Sequence, residues 1–160
     1  MNVVAPDTDH TELATAMANV VDAQPYAKDE ASRQQVAALL VAVAFREGSL
    51  KTHVEGDFDG HGKPRSFCTM QIHASSGGSQ ALNEDPELCV STGLAMLRTS
   101  QRICPAHPIA FYAAGPAGCA SQRAQRISAD RMGLARRIAA SARAALANVP
   151  PQELDQSSEG

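Results

Sequence analysis

Residues 36–45 read Val-Ala-Ala-Leu-Leu-Val-Ala-Val-Ala-Phe, and Arg46, Glu47 and Gly48 follow them directly. This apolar run is too long for a typical strand and is rich in Ala and Leu, so it predicts a buried helix. Gly48 is expected at the left-handed position that closes such a helix. Glu47 is therefore predicted to lie on the last turn of a helix that the core surrounds.

The predicted position of Glu47 bears on its chemistry. A carboxylate on the last turn faces the negative end of the helix dipole, and partly apolar surroundings would add to the cost of its charge. Both effects favour the neutral acid, and a carboxylic acid that is protonated near neutral pH can donate a proton to a leaving oxygen. Glu47 is accordingly the candidate catalytic residue.

The composition indicates a globular protein with one hydrophobic core. The chain has 160 residues, of which 44% are apolar and 19% charged, and it contains no Trp. The net charge of −3 is unevenly spread, because residues 98–143 hold eight Arg and a single acid, Asp130. Such a basic region favours an anionic polymer such as cell wall or nucleic acid, or else forms the solvated faces of helices.

Local sequence signals indicate one folded domain with a flexible segment at each end. Residues 1–10 are expected to be a flexible lead-in, 11–149 the domain, and 150–160 a disordered tail. The helix that contains the apolar run is expected to be capped by Asp29 or Ser32. Further helices are predicted at about residues 11–23, 85–100, 109–114 and 128–148, and residues 67–73 predict a short strand or hairpin arm.

Three separated segments resemble one known family. They are Phe45-Arg-Glu-Gly-Ser49, Ser66-Phe-Cys-Thr-Met-Gln-Ile72 and Ile109-Ala-Phe-Tyr-Ala-Ala-Gly-Pro116. Their order and spacing, over roughly residues 30–147, are similar to those of the soluble lytic transglycosylase and goose-type lysozyme superfamily. That family carries a Glu-Ser at a helix end, a Ser-x-Gly-Leu-Met-Gln-Ile strand and an Ala-x-x-Ala-Tyr-Asn-Ala-Gly segment.

The resemblance implies a role for each matching residue. Glu47 corresponds to the general acid that protonates the bond between N-acetylmuramic acid and N-acetylglucosamine in peptidoglycan. Gln71 corresponds to the strand residue that lines the sugar groove, with Met70 as an apolar wall, and Tyr112 to the aromatic residue beside the acid. Ser49 and Ser66 are expected to orient the substrate.

The chain departs from the family pattern beside each of these residues. Gly48 stands where the family has the Ser that follows the acid, and the nearest serine, Ser49, comes one place later. Cys68 and Thr69 replace Gly-Leu in the second motif, and Ala113 replaces the Asn after the Tyr. The departures suggest a divergent enzyme, or a glycan-binding module that keeps the groove and has lost catalysis.

Whether the site contains a second carboxylate would determine if the reaction is hydrolysis or transglycosylation. Glycosidases usually use two carboxylates, and Asp57 and Asp59 follow Glu47 on a polar loop where they could hold a water for hydrolysis. Otherwise these two residues are solvated, and the resemblance implies lytic transglycosylation through one Glu, in which the 6-hydroxyl of the sugar attacks. The Asp57–Cys68 segment also begins like a calcium loop, but its twelfth position is Cys rather than Glu, so no metal or other cofactor is expected.

The cysteines leave the redox state open. Cys68, Cys89, Cys104 and Cys119 allow two disulfides in three connectivities, or four free thiols. Within the resemblance, a bridge between Cys104 and Cys119 would flank the third motif and hold Tyr112 in place.

The sequence also bears on location and partners. It contains no apolar segment of transmembrane length, and its first residues lack the features of a signal peptide. The resemblance implies a periplasmic, extracellular or phage-delivered protein whose leader is absent from this chain, acting on peptidoglycan glycan strands. An Arg-rich nucleic-acid binder is the weaker alternative, because few aromatics are available for stacking. The expected fold is mainly α, a lysozyme-like α+β fold with a small β element beside the active-site groove.

Overall fold

The computed structural model describes residues 10–148. The helices are α1 (Thr11–Asp22), α2 (Glu30–Gly48), α3 (Ala81–Glu84), α4 (Pro86–Ile103), α5 (Ala110–Ala114) and α6 (Gln122–Ala147). The strands are β1 (Glu55–Gly56), β2 (Ser66–Phe67) and β3 (Ile72–His73), and 3-10 turns span Ala74–Ser76 and Gly115–Ala120. The described part of the chain is thus mainly helical with a small antiparallel sheet, as the sequence predicts.

Helix α2 confirms the prediction drawn from the apolar run, except at its end. Asp29 caps its start by accepting a hydrogen bond of 2.7 Å from the backbone N–H of Ser32. Gly48 does not take the left-handed position, because it is the last helical residue and Ser49 follows with φ 53°. A Cβ on Gly48 would lie 2.6 Å from the Cα and carbonyl oxygen of Thr69. Glycine is therefore needed at position 48 for close packing and not for its backbone angles.

The segment 67–73 forms a tight hairpin rather than one strand. Strands β2 and β3 pair antiparallel, with Ser66 opposite His73 and Phe67 opposite Ile72, and β1 extends the sheet beyond β2. Cys68 and Gln71 have φ of 59° and 48° in the turn between β2 and β3. The placement of Gln71 in a strand is wrong, because its left-handed backbone turns the chain at that point.

Helix α6 begins at Gln122, six residues before the predicted start at Ser128. The hydroxyl of Ser121 accepts a hydrogen bond from the backbone N–H of Ala124 and caps the helix. Ser128 lies inside α6, where its buried hydroxyl accepts a hydrogen bond of 3.0 Å from the N–H of Ile109. Ser128 therefore joins α6 to the residue that precedes α5, and the predicted start of the helix at Ser128 is wrong.

The core lies between α1, α2, α4 and the hairpin. Its larger buried side chains are Leu13, Met17, Val20, Leu40, Val43, Met70, Ile72, Val90, Leu94 and Leu97. Disulfides join Cys68 to Cys89 and Cys104 to Cys119, so the predicted pairing of Cys104 with Cys119 is confirmed and the free-thiol alternative is wrong. The first bridge ties the hairpin turn to α4, and the second encloses α5.

The structure describes only part of the two terminal segments that the sequence analysis predicted. Residue 10, assigned to the lead-in, already belongs to the start of α1, because the His10 carbonyl accepts a hydrogen bond from the N–H of Ala14. The remaining predictions for residues 1–9 and 150–160 lie outside the described residues. Between residues 10 and 148, no helix has the length and apolar character needed to cross a membrane.

Candidate active site

A cleft of about 800 Å³ opens where the end of α2 meets the sheet, α4, α5 and α6. Its walls include predicted residues from each of the three motifs and several residues that the motifs do not contain. The lining includes Glu47, Asp57, Ser66, Gln71, His73, Thr92, Met96, Thr99, Tyr112, Ala113 and Arg131. The fold thus brings together three segments that are far apart in the sequence.

Glu47 lies in the cleft on the last turn of α2, with its side chain 22% exposed. Its Oε1 accepts a hydrogen bond from Nε of Arg131 at 2.8 Å and forms a salt bridge with Nη2 of Arg131 at 2.7 Å. Its Oε2 accepts no hydrogen bond from any described residue, and is the oxygen left for a ligand in the cleft. The helix dipole and partly apolar surroundings were the predicted influences on Glu47, and the guanidinium that contacts the carboxylate directly was not anticipated from the sequence.

Arg131 is the main site residue that the sequence analysis missed. It lies on α6 at helical spacing from Leu134 and Ile138, which pack against α2, so it belongs to the inward face of α6. Its side chain is 13% exposed. The spacing of Arg131 within this apolar stripe was the available signal, but it was treated as one of many solvated arginines.

Tyr112 forms the opposite side of the cleft from α5. Its hydroxyl donates a hydrogen bond to the backbone carbonyl of Met70, and its N–H donates to Ser100 Oγ at 2.9 Å. Burial raises the pKa of the Tyr112 phenol, the negative charge of Glu47 raises it further, and Arg131 opposes both effects. The phenol is therefore neutral, close to the acid, and fixed to the hairpin turn.

Of the two candidates for a second carboxylate, only Asp57 lines the cleft. Asp57 has φ 49°, and its Oδ2 accepts a hydrogen bond of 2.5 Å from the hydroxyl of Ser66, which is buried. Asp59 instead accepts hydrogen bonds from the backbone N–H groups of Lys63 and His61, and these bonds lower its pKa. Asp59 therefore shapes the loop and does not serve the cleft.

The remaining predicted residues differ in how they meet the cleft. Gln71 lines it, but its Nε2 donates to the backbone carbonyl of Cys68 at 3.1 Å, so part of its amide is already used. Met70 is fully buried, with its side chain against Gly93, and its role as an apolar wall is wrong. Ser49 is exposed on the left-handed turn after α2 and is not among the lining residues.

Carboxylate, imidazole, amide, hydroxyl, phenol and guanidinium groups line the cleft. Within residues 10–148, no three His, Cys, Asp or Glu side chains come together as ligands for a metal ion. Comparisons with protein-family models, with curated proteins and with solved structures give no match for this chain. The chemistry of the cleft is accordingly argued from its own residues.

Proposed function

We propose that this protein is a peptidoglycan lytic transglycosylase with a lysozyme-like fold, acting on the β-1,4 bond between N-acetylmuramic acid and N-acetylglucosamine. One observation carries the proposal: Glu47 ends a buried helix inside a cleft, and the fixed, neutral phenol of Tyr112 lies beside it. Carboxylate, amide, hydroxyl and guanidinium groups line part of the cleft, and these groups can form hydrogen bonds with the hydroxyls of a polysaccharide chain. Its place of action is then the bacterial cell wall, whether in the periplasm, outside the cell or after delivery by a phage.

The proposed reaction uses one carboxyl group twice. Neutral Glu47 donates its proton to the glycosidic oxygen, and the bond from that oxygen to C1 of the muramyl residue breaks. N-acetylglucosamine leaves with a free 4-hydroxyl. The Glu47 carboxylate then accepts the proton of the muramyl 6-hydroxyl as that oxygen attacks C1, so an anhydro ring closes without consumption of water.

Two further outcomes have specific support in the cleft. Asp57 lines it and could position a water, which would make the enzyme a hydrolytic muramidase. The salt bridge of Glu47 with Arg131, together with Gly48 and Ala113 at family positions, favours a glycan-binding module without catalysis. The reaction products and the fate of bound glycan separate these possibilities.

The test compares Glu47→Gln with the parent protein in a turbidity assay on purified peptidoglycan sacculi. The variant keeps the shape of the side chain but cannot donate its proton, so the rate should fall by at least about a hundredfold. Glu84→Gln is the matched control, because Glu84 is exposed and lies outside the cleft, and it should retain full activity. Equal rates for Glu47→Gln and the parent would overturn the role of Glu47.

Mass spectrometry of the fragments then identifies the reaction. Muramyl ends one water lighter than reducing ends indicate transglycosylation, and these should persist in Asp57→Asn. Reducing ends that disappear in Asp57→Asn would instead indicate hydrolysis. Retention of the protein on sacculi with no released fragments would identify a binding module.

A further inference from the structure

Arg131 holds a special position in the cleft because of its charge. It is the only Arg or Lys among the described residues that line the cleft, and two carboxylates, those of Glu47 and Asp57, line it as well. A negatively charged ligand would be repelled by both carboxylates. If such a ligand enters, Arg131 is the group that can compensate its charge.

The guanidinium of Arg131 keeps capacity for a further acceptor. Its Nε donates a hydrogen bond to Oε1 of Glu47, and its Nη2 forms a salt bridge with the same oxygen. Its Nη1 lies 3.5 Å from the carbonyl of Ile127 and 3.9 Å from Oδ2 of Asp130, both longer than a normal hydrogen bond. Asp130 itself pairs with Arg46 at 3.0 Å. A guanidinium has five N–H donors and binds a carboxylate best through two of them, so this one is not saturated.

The salt bridge also conflicts with the proposed reaction. It joins Arg131 to the ionised form of Glu47, whereas proton donation needs the neutral acid. Opening the pair without a replacement would leave a guanidinium that is 13% exposed with only Asp130, 3.9 Å away and already paired with Arg46, as its counter-charge, which is unfavourable. A second carboxylate that takes the place of Glu47 removes that cost and leaves Glu47 free of the guanidinium.

We propose that Arg131 is a binding site for a carboxylate of the muramyl residue and exchanges Glu47 for it when the glycan binds. The inference rests on the proposed function, since it names the group of that substrate that the cleft recognises. The carboxylate belongs either to the lactyl ether of a strand without stem peptides or to the stem peptide itself. Arg131 thereby distinguishes muramyl glycans from neutral chitin strands and prepares the acid only when a muramyl residue is present.

The test measures binding by calorimetry in the Glu47→Gln background, which cannot donate the proton and removes the salt bridge between Arg131 and residue 47. The probes are chitotetraose, a muramyl tetrasaccharide with free lactyl groups, and the same tetrasaccharide with stem peptides. Glu47→Gln should bind one muramyl probe about tenfold to a hundredfold more tightly than chitotetraose, the range expected for a charge-assisted pair. The preferred muramyl probe identifies the source of the carboxylate.

The double variant Glu47→Gln/Arg131→Gln is the decisive test of the role of Arg131. It contains no unpaired charge at this position, and unchanged affinity for chitotetraose would show that the cleft is intact. The double variant should show no preference for muramyl probes. The preference should return in part in Glu47→Gln/Arg131→Lys, which restores a positive charge. It should persist in the control Glu47→Gln/Arg137→Gln, because Arg137 is exposed outside the cleft.

Each outcome decides between the two proposals. A preference that survives in the double variant, or is absent from Glu47→Gln, overturns the role of Arg131 even if the parent protein cleaves sacculi. A preference that depends on Arg131 in a protein that releases no fragments supports the binding site and overturns the enzymatic proposal. Failure of all three probes to bind overturns both.

Discussion

The two walls of the cleft are built in different ways. The hairpin wall, residues 66–73 with the end of α2, is held through its backbone. The N–H of Cys68 donates to the buried side chain of Asn83 at 2.7 Å, a disulfide joins Cys68 to Cys89, and Gly48 packs directly on the backbone of Thr69. The position of this wall is therefore set by covalent and backbone contacts.

The helical wall, formed by α5, residues 115–120 and α6, meets the hairpin wall through side chains. Tyr112 reaches across to the carbonyl of Met70, and Arg131 reaches across to Glu47. Such contacts can exchange partners without movement of the backbone. In the proposed reaction, the hairpin wall therefore sets the position of the glycan, and the helical wall sets the bonding partners of Glu47.

Removal of each disulfide tests this difference with the largest expected effect. Cys68→Ala/Cys89→Ala should lower the free energy of unfolding by about 3–5 kcal/mol, because a loop is released and two buried sulfurs leave a cavity. Cys104→Ala/Cys119→Ala should cost about 2–3 kcal/mol, because its loop is shorter and Cys119 is partly exposed. Urea unfolding under oxidising conditions measures both. A larger loss from the second pair would show that the helical wall is the more constrained one.

A second prediction compares two helical glycines, one at each wall. Gly48→Ala should destabilise the protein by about 1–3 kcal/mol and reduce cleavage, because its Cβ would meet the backbone of Thr69 and displace the hairpin. Gly133→Ala in α6 should stabilise it by about 0.5–1 kcal/mol, since the nearest contact of that Cβ is Nη1 of Arg137 at an ordinary 3.6 Å. Thermal unfolding of both variants checks the signs, and equal signs would contradict the tight contact at Gly48.

Gly48 also shows what the sequence could and could not predict. The helix around it followed from an uninterrupted apolar run, which is a local signal. The reason for the glycine did not, because it depends on Thr69, which the hairpin brings against α2. A glycine at a helix end is more often the left-handed residue that caps the helix. The local rule therefore predicted the end of α2 correctly, but it gave the wrong reason for the glycine.

The difference between local and long-range signals also explains which other residues of the site could be predicted. Glu47, Ser66, Gln71 and Tyr112 were predicted because each lies in a short motif that could be recognised locally, and all four line the cleft. Arg131 lies 84 residues from Glu47 and in no motif, and its partner is fixed only when α6 packs on α2. Long-range ion pairs of this kind leave only a weak trace in the sequence, an arginine within an apolar stripe.

The third and smallest expected effect concerns the hydroxyl of Tyr112, which joins the two walls. Tyr112→Phe should cost about 1–2 kcal/mol, because the carbonyl of Met70 loses its donor in a partly buried setting. Tyr26→Phe is the control: the Tyr26 hydroxyl is buried without a hydrogen-bond partner among the described residues, so its removal should cost nothing. Chemical denaturation at neutral pH measures both, and equal losses would argue against a link between the walls.

Tyr112→Phe should also differ from the parent at high pH, because burial raises the pKa of Tyr112 above its ordinary value of 10.0. Above that pH the unfolded chain releases the phenol proton while the folded protein keeps it, so the free energy of unfolding falls as pH rises. The contribution of one such group is at most about 1.4 kcal/mol for each pH unit. Unfolding measured between neutral pH and the alkaline range should show a shallower fall for Tyr112→Phe than for the parent. If the two proteins respond alike, the Tyr112 phenol is accessible to water, and its hydrogen bond does not join the helical wall to the hairpin wall.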